Sequence, residues 1–518
     1  MPMDSSADWA AGYVTEVGYT FGYYRELSPA ILRLACVAAG IAAPAGQHLR
    51  YLELGFGQGL SINVHAAAIP GTFWGTDFNP GQVAHARALA EASGSGAVLL
   101  DESFEDLAAR ADLPEFDIIA LHGVWTWISD ENRRFIVDLI RRKLRAGGLV
   151  YISYNCFPGW APAEPLRHLM SLHSELAGSE VTGTIGKVDG ALAFARNIAD
   201  SGALYFRANP AVTARLKQIS EQSRNYLAHE YFNRDWELMA FSDVARWLES
   251  AKLSYAASAH LLDHTDAVNL TPEGQKLLLG IAHPILRQTV RDYFVNQQFR
   301  RDIFVKGTRR LTPLEQHEAL RAQAFILTVP AEDVPMKFPG PIGEVTMSES
   351  VYRPLIAAFA DQGYAPKTLA KLCSYPAFQS QPIGLVLQSV LVLAGVGHLS
   401  PAQQPSQKTR QYCRALNKYL CERARSSADI LFLASPVLGG AIPVDQLQQT
   451  FLLAVNHNKT KANEQAAFVW NLMAQASQRL MKDGKPIEAA EENLAELERR
   501  SEIFRTKQLP ILKALEIA

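Results

Sequence analysis

At 518 residues the chain exceeds what one hydrophobic core supports, so about two to four domains are expected. Hydrophobic content of 48% and charged content of 20% describe an ordinary folded protein and exclude a long disordered tail. A net charge of −2 supplies no bulk attraction to nucleic acid or anionic membrane, so no nucleic-acid partner is expected.

The segment Met1–Ala10 lacks the basic and apolar stretches of a signal sequence, and no apolar run is long enough to cross a bilayer. The five cysteines (Cys36, Cys156, Cys373, Cys413, Cys421) form no C-x-x-C pair and no metal-ligand spacing. They read as reduced thiols, and a cytoplasmic protein with no membrane anchor and no metal is the expectation.

The first strand-like run, Tyr51–Leu54, carries Glu53 and enters Gly55-Phe56-Gly57-Gln58-Gly59 ahead of a helical pattern. Asp77 closes the second apolar run, whose strand is read over Thr72–Thr76. Glycines let backbone approach a ligand, and a carboxylate one strand over holds a ribose. The dinucleotide fingerprint G-x-G-x-x-G is not met, because Leu60 occupies the third position after Gly57. Glu53 with G-x-G-x-G resembles instead the first motif of class I S-adenosylmethionine-dependent methyltransferases.

Further strands are read at Ala97–Leu100, Phe116–His122 and Gly148–Tyr154, the rhythm of a doubly wound parallel sheet. Between the last two, Asp130–Leu144 shows helix spacing at Phe135, Ile136, Leu139, Ile140 and Leu144, with a stop at Ala146-Gly147-Gly148. The order helix then buried strand returns only at Ser242–Ala251 and Leu253–Ala259, and the resemblance to class I methyltransferases implies a seventh, antiparallel strand, read at Arg301–Lys306. The fold class is therefore α/β, a Rossmann-like seven-stranded sheet with a helical insertion between strands five and six. Residues 1–156 and 242–310 form the methyltransferase domain, 157–241 a helical regulatory or substrate domain, and Thr271–Gln298 a second excursion.

Residues 311–405 form a middle domain with a linker at Phe338-Pro339-Gly340-Pro341. Within it, Val351–Ser400 has the helix and strand order of a winged helix. Its third helix, Pro382–Ala394, has no Lys or Arg, which favours protein contact over nucleic acid. Residues 406–518 form a mainly helical domain whose amphipathic Pro486–Thr506 packs back on the body.

Four stretches carry a closer likeness: Tyr19-Thr20-Phe21-Gly22-Tyr23-Tyr24, Leu121-His122-Gly123-Val124-Trp125-Thr126-Trp127-Ile128, Ser153-Tyr154-Asn155-Cys156-Phe157-Pro158-Gly159-Trp160 and Tyr226-Leu227-Ala228-His229-Glu230-Tyr231-Phe232-Asn233. Together they resemble bacterial class I methyltransferases with a methyltransferase regulatory domain, a group that includes rickettsial protein lysine methyltransferases. The likeness covers residues 10–310 well and the C-terminal half loosely. It implies S-adenosylmethionine as cofactor, a polypeptide as partner, and lysine side chains as acceptors.

On that resemblance Tyr19, Gly55, Gly57, Gly59, Asp77, Phe78 and His122 hold the methyl donor. Glu53 binds its amino group or orients the loop. Ser103 and Phe104 meet the adenine, with Asp101 or Glu102 as alternatives. His122, Trp125, Trp127, Tyr154 and Trp160 fall at the carboxyl ends of strands four and five. Aromatic walls there would strip water from a lysine and help generate its neutral amine. Tyr154, Trp125 and His122 are the catalytic expectation. Trp125, Trp127, Asn155, Trp160 and Glu230 are the substrate-binding one. His229 and Glu230 point about 100° apart on a helix, so they are no metal site. Arg300, Arg301, Arg309 and Arg310 read as a solvated edge. Two other functions fit the same residues: methylation of a small molecule or glycan, and non-catalytic regulation through the winged-helix-like module.

Overall fold

The computed structural model describes residues 13, 20–44, 46, 48–178, 183–482 and 484–518. Seven strands share one sheet: β1 (Leu49–Leu54), β2 (Gly71–Asp77), β3 (Val98–Asp101), β4 (Phe116–Leu121), β5 (Leu144–Asn155), β6 (Leu253–Ser258) and β7 (Phe299–Lys306). Their order is β3-β2-β1-β4-β5-β7-β6, and β7 runs antiparallel between β5 and β6. Parallel strands covered on both faces read as near-continuous apolar runs, and every residue of β4 is buried.

Helices α1 (Pro29–Ala38), α2 (Leu60–Ala68), α3 (Pro80–Ser93), α4 (Phe104–Ala109) and α5 (Asp130–Lys143) flank the parallel half. No loop separates α5 from β5. Ala146, Gly147 and Gly148 lie inside the strand rather than in a helix stop, and the register of β5 against β4 shifts over this stretch.

Between β5 and β6 lie α6 (Glu164–Ala177), α7 (Gly183–Asp200), α8 (Leu204–Ala208), α9 (Pro210–Ser220) and α10 (Arg224–Tyr231). They give no strand to the sheet and enclose a core of their own, including Leu166, Leu192, Phe206, Leu216 and Leu227. Then come α11 (Phe241–Glu249) before β6, and α12 (Asp266–Asn269), α13 (Pro272–Leu279) and α14 (Pro284–Val295) before β7.

The middle region contains α15 (Pro313–Ala322), β8 (Ala324–Leu327), β9 (Lys337–Gly340), β10 (Gly343–Thr346), α16 (Glu349–Tyr364), β11 (Lys367–Thr368), α17 (Leu369–Leu372), α18 (Ile383–Gly395) and β12 (Leu399–Ala402). The expected linker at Phe338–Pro341 is a β-hairpin, because β9 and β10 pair antiparallel around it. The winged-helix-like sheet has the order β11-β8-β12, so its central strand comes from upstream of the helices. Helix α18 contacts its own chain: Arg25 donates to the Ala394 carbonyl, and Leu262 crowds Gly395. Its apolar face is thereby committed to the fold.

The C-terminal region holds α19 (Gln407–Arg423), the hairpin β13 (Phe432–Ser435) and β14 (Gly440–Pro443), α20 (Gln446–Asn456), α21 (Ala462–Gln475), α22 (Ala490–Ile503) and α23 (Leu509–Ala514). Its core takes in Leu60, Val64 and Leu89 from α2 and α3. This explains why every residue of α2 is buried, Ser61, Asn63 and His65 included.

Candidate active site

Side chains alternate across a strand, so strand parity decides which residues can meet at the carboxyl edge of the sheet. Tyr51, Ile118, Ala120 and Tyr151 belong to the core on one face, and Leu52, Leu54, Ile119, Leu121, Ile152 and Tyr154 to the core on the other. By the same alternation Glu53, His122, Ser153 and Asn155 stand on the first face.

The loop after β1 turns sharply, with Gly55, Gly57 and Gly59 at φ of 67°, 58° and 73°. A Cβ on Gly55 would come within 2.6 Å of Val124 Cγ2, and one on Gly59 would overlap the Ala86 methyl. The loop is therefore closed to side chains at both ends. The Asp77 carboxylate, buried at the end of β2, accepts from Gly57 N at 2.8 Å and from Asn79 N at 3.0 Å. Burial raises its pKa to about 6, partly offset by these two bonds. Beneath the loop, Glu53 accepts from the Tyr51 hydroxyl at 3.2 Å, and burial raises its pKa to about 8. A buried carboxyl with one neutral partner has capacity left for a cation.

His122 stacks under Tyr24, with ring centroids 3.9 Å apart. Its Nδ1 lies 2.8 Å from the Tyr151 hydroxyl and 3.1 Å from Ser153 Oγ, which also accepts from Gly123 N at 2.8 Å. Burial pushes the imidazole pKa down to about 3, so the ring is neutral at physiological pH. Phe299 closes this side at 5.7 Å from the imidazole, opposite Asn155 in the β5–β7 register. The Asn155 amide makes no hydrogen bond among the described residues.

After β3, Ser103 and Phe104 open α4. Ser103 caps α4, accepting from Asp106 N at 3.1 Å and donating to Asp106 Oδ2 at 2.7 Å. Phe104 packs against the core of the second face. The Glu102 carbonyl accepts from Thr76 Oγ1 at 2.6 Å, while its carboxylate pairs with Arg110 at 2.5 Å. Asp101 is exposed and sits opposite Asp77 in the sheet register.

The aromatic wall expected from the sequence is not assembled. Tyr154 faces the opposite side of the sheet, fully buried, and donates to Asp302 Oδ2 at 2.7 Å. Trp125 is also fully buried, its indole N–H on Met239 Sδ at 3.2 Å and its ring edge-on to Trp247. Trp160 and Trp127 are exposed by only 5% and 8%, and arginines of the insertion already cover them. Arg215 lies 3.5 Å over the Trp160 ring, and Arg167 lies 5.8 Å from Trp127 and 4.4 Å from Trp236. Their cation–π faces are spent on holding α6 to the segment after β4 and α9 to the segment after β5. Arg300 corrects the solvated-edge reading: it is buried, paired with Asp292 and held by Asp302 at 2.8 Å.

Two residues not singled out from the sequence border the site. Tyr24 covers His122, and Tyr13 bridges Phe78 and His229 with ring centroids at 5.6 and 5.5 Å. Both lie in an aromatic-rich stretch, which was the available signal. Tyr19 lies outside the described residues. Glu230, on α10, is partly exposed, and burial raises its pKa to about 7. The C-terminal region reaches the same loop: Phe21 stands between Arg423 and His85, whose Nδ1 is 2.9 Å from the Gln58 carbonyl.

Comparison with known proteins gives these features a common context. A methyltransferase domain family matches residues 52–148, and a predicted methyltransferase regulatory domain family matches residues 223–306. The second match runs from the last insertion helix through β6 and β7, so it does not coincide with the insertion. An uncharacterized protein of Synechocystis is 39% identical over 515 residues, covering 98% of this chain and all of the relative. One from Rickettsia prowazekii is 25% identical over 287 residues, 55% of this chain and 51% of its own. PKMT2 from Rickettsia typhi, solved in complex with AdoHcy, superposes with a TM-score of 0.69 at 18% identity, over 94% of this chain and 98% of that one.

Proposed function

Since the chain belongs to the class I S-adenosylmethionine-dependent methyltransferases that carry a methyltransferase regulatory domain, we propose that its acceptors are lysine side chains of a polypeptide. The donor supplies a methyl group on a sulfonium, and the protein's part is to position it and to present a desolvated nucleophile. The residues present fit that donor. Gly55 and Gly59 leave backbone bare where a side chain would clash. Glu53 offers a carboxylate to the amino group, and Asp77 offers one to the ribose hydroxyls while fixing the loop through Gly57.

The observation that carries the polypeptide reading is the reach of the correspondence with PKMT2. It extends through the insertion and the C-terminal regions rather than stopping at the sheet. Tyr24, His122 and Phe299 opposite Asn155 line the carboxyl edge of the sheet, and a chain lying along that edge would present one side chain to the donor. The experiment is incubation of purified protein with methyl-labelled donor and cell lysate, followed by acid hydrolysis. Label in methyllysine is expected. Label confined to small metabolites, or to hydroxyl or carboxylate products, overturns the proposal.

A further inference from the structure

We propose that a cavity beside the donor edge, roofed by the β9–β10 hairpin, selects the acceptor by binding an acidic side chain near the methylated lysine through Arg301. The inference rests on the polypeptide-lysine reading above and names the sequence context that such an acceptor would carry.

The cavity has a volume of about 370 Å³. Its floor is the entry to β7 with Phe299 and Arg301, one wall is Leu262 and Val268 after β6, and its roof is the hairpin at Phe338-Pro339-Gly340-Pro341. Roof and wall are closely set, since a Cβ on Gly340 would come within 3.1 Å of the Val268 carbonyl oxygen.

Phe299 joins this cavity to the donor edge. It lines the cavity, and its ring centroid lies 5.7 Å from that of His122. Two residues on, Arg301 takes the same face of β7. It stands opposite Ser153, whose hydroxyl lies 3.1 Å from His122 Nδ1. The Arg301 guanidinium lies 5.0 Å from the Phe299 centroid, so two ring contacts connect it to the imidazole. An extended chain advances about 3.3 Å per residue, which brings an acidic side chain up to about three positions from the lysine within reach of Arg301.

Arg301 has unused capacity for such a partner. Its side chain is 30% exposed, yet Nε is buried, and among the described residues the guanidinium donates no hydrogen bond. Glu26 Oε1 stands 3.7 Å from Nε, beyond hydrogen-bond length, and is shared with His260 Nδ1 at 3.9 Å. Asp263, the carboxylate that lines the cavity, accepts from the Ser258 hydroxyl at 2.7 Å and lies 3.5 Å from Arg291. The neighbouring Arg300 takes the other face of β7, where Asp292 and Asp302 occupy it. The planar fork of Arg301 therefore matches one incoming carboxylate in bidentate geometry. Leu262, Phe299 and Phe338 keep water from that pair, so an acceptor without the acid forfeits the contact.

The test uses the full chain as wild type, Arg301→Gln and Arg301→Glu, with methyl-labelled donor and cell lysate. Mass spectrometry maps the labelled methyllysines, and calorimetry measures donor affinity. In wild type, Asp and Glu should be enriched about 3-fold within about three positions of the labelled lysines, relative to all lysines of the lysate proteins. Arg301→Gln should bind the donor within about 2-fold, lose the enrichment, and methylate acid-flanked sites about 10-fold more slowly. Arg301→Glu should turn the preference toward Lys and Arg, a reversal that a merely structural role for Arg301 would not produce. Wild-type sites without acidic enrichment, or an enrichment that Arg301→Gln keeps, overturn the assignment. If the Arg301 variants fail to fold, Gln298→Glu decides, because Gln298 is exposed on the cavity floor. It should weaken the acidic preference, and an unchanged preference overturns the proposal. A wild type that makes no methyllysine fails the polypeptide reading itself, whereas methyllysine without acidic context fails only the role of the cavity.

Discussion

The donor side and the acceptor side of this site are built by different means. The donor side is made of neighbours in sequence: β1, the glycine loop, α2 and the end of β2 lie within residues 49–77. Its determinants are backbone requirements, positive φ at three glycines and N–H groups aimed at Asp77. The acceptor side gathers Tyr24, His122 and Ser153 from three separate stretches. Its chemistry depends on which face each side chain takes and on who already occupies it. Backbone-built sites tolerate little but announce themselves, whereas side-chain-built sites can hide beside more conspicuous residues.

The largest expected effect breaks the comparison most directly. Trp125 is conspicuous, fully buried, and bonded to Met239, so Trp125→Ala should leave a cavity and cost about 3–5 kcal/mol of stability. Chemical denaturation measures it. If the variant keeps its stability yet loses turnover, Trp125 works in the site and the acceptor side was as legible as the donor side.

Asp77→Ala comes next. It removes a charged partner for the donor and frees the N–H groups of Gly57 and Asn79, so donor affinity should fall by roughly 2–4 kcal/mol in a folded protein. Calorimetry showing unchanged affinity would move the donor site elsewhere.

These two variants mark what was readable. The positions of the seven strands follow from apolar runs, the late antiparallel β7 follows from the family resemblance, and the structure matches both within a few residues. The aromatics after β4 and β5 were legible as buried residues, but not their direction. Parity would have separated Tyr154 from the face of Glu53 and His122, because residues 151, 153 and 155 share one face of β5 and 154 takes the other. No local signal shows that Arg167 and Arg215, far along the chain, would cover Trp127 and Trp160. Arg300 misled in part for the same reason, since Asp292 on α14 becomes its neighbour only in the fold, whereas Asp302, two residues on along β7, shares its face and was readable.

Glu53 sharpens the comparison through pH. Its folded pKa of about 8 lies above the ordinary carboxyl value, so the folded donor-free protein holds a proton that the unfolded chain releases near pH 4.5. Stability must then fall as pH rises between those two values, the reverse of a salt-bridged carboxylate. Glu53→Gln should remove that slope and be more stable than wild type at pH 9 by roughly 2–4 kcal/mol. Donor binding favours the ionised form, so wild-type affinity should rise from pH 6 to pH 8 and release a proton. A variant that keeps the wild-type pH slope places the titration on another group.

The smallest effect tests where the donor side ends. Ser103 was expected at the adenine, yet its hydroxyl bonds twice to Asp106 at the first turn of α4. A cap of this kind contributes about 1 kcal/mol to the helix it starts. Ser103→Ala should therefore lower stability by about 1 kcal/mol and leave donor affinity within 2-fold, whereas Ser103→Asp should keep the cap. Adenine recognition in such a site would fall to the backbone of residues 101–104 and to the half-buried ring of Phe104, which the substitution leaves in place. If Ser103→Ala instead weakens donor binding 10-fold at unchanged stability, the hydroxyl turns from Asp106 to the ligand on binding. The donor side would then share the acceptor side's dependence on side-chain direction, and the contrast between the two would narrow at β3.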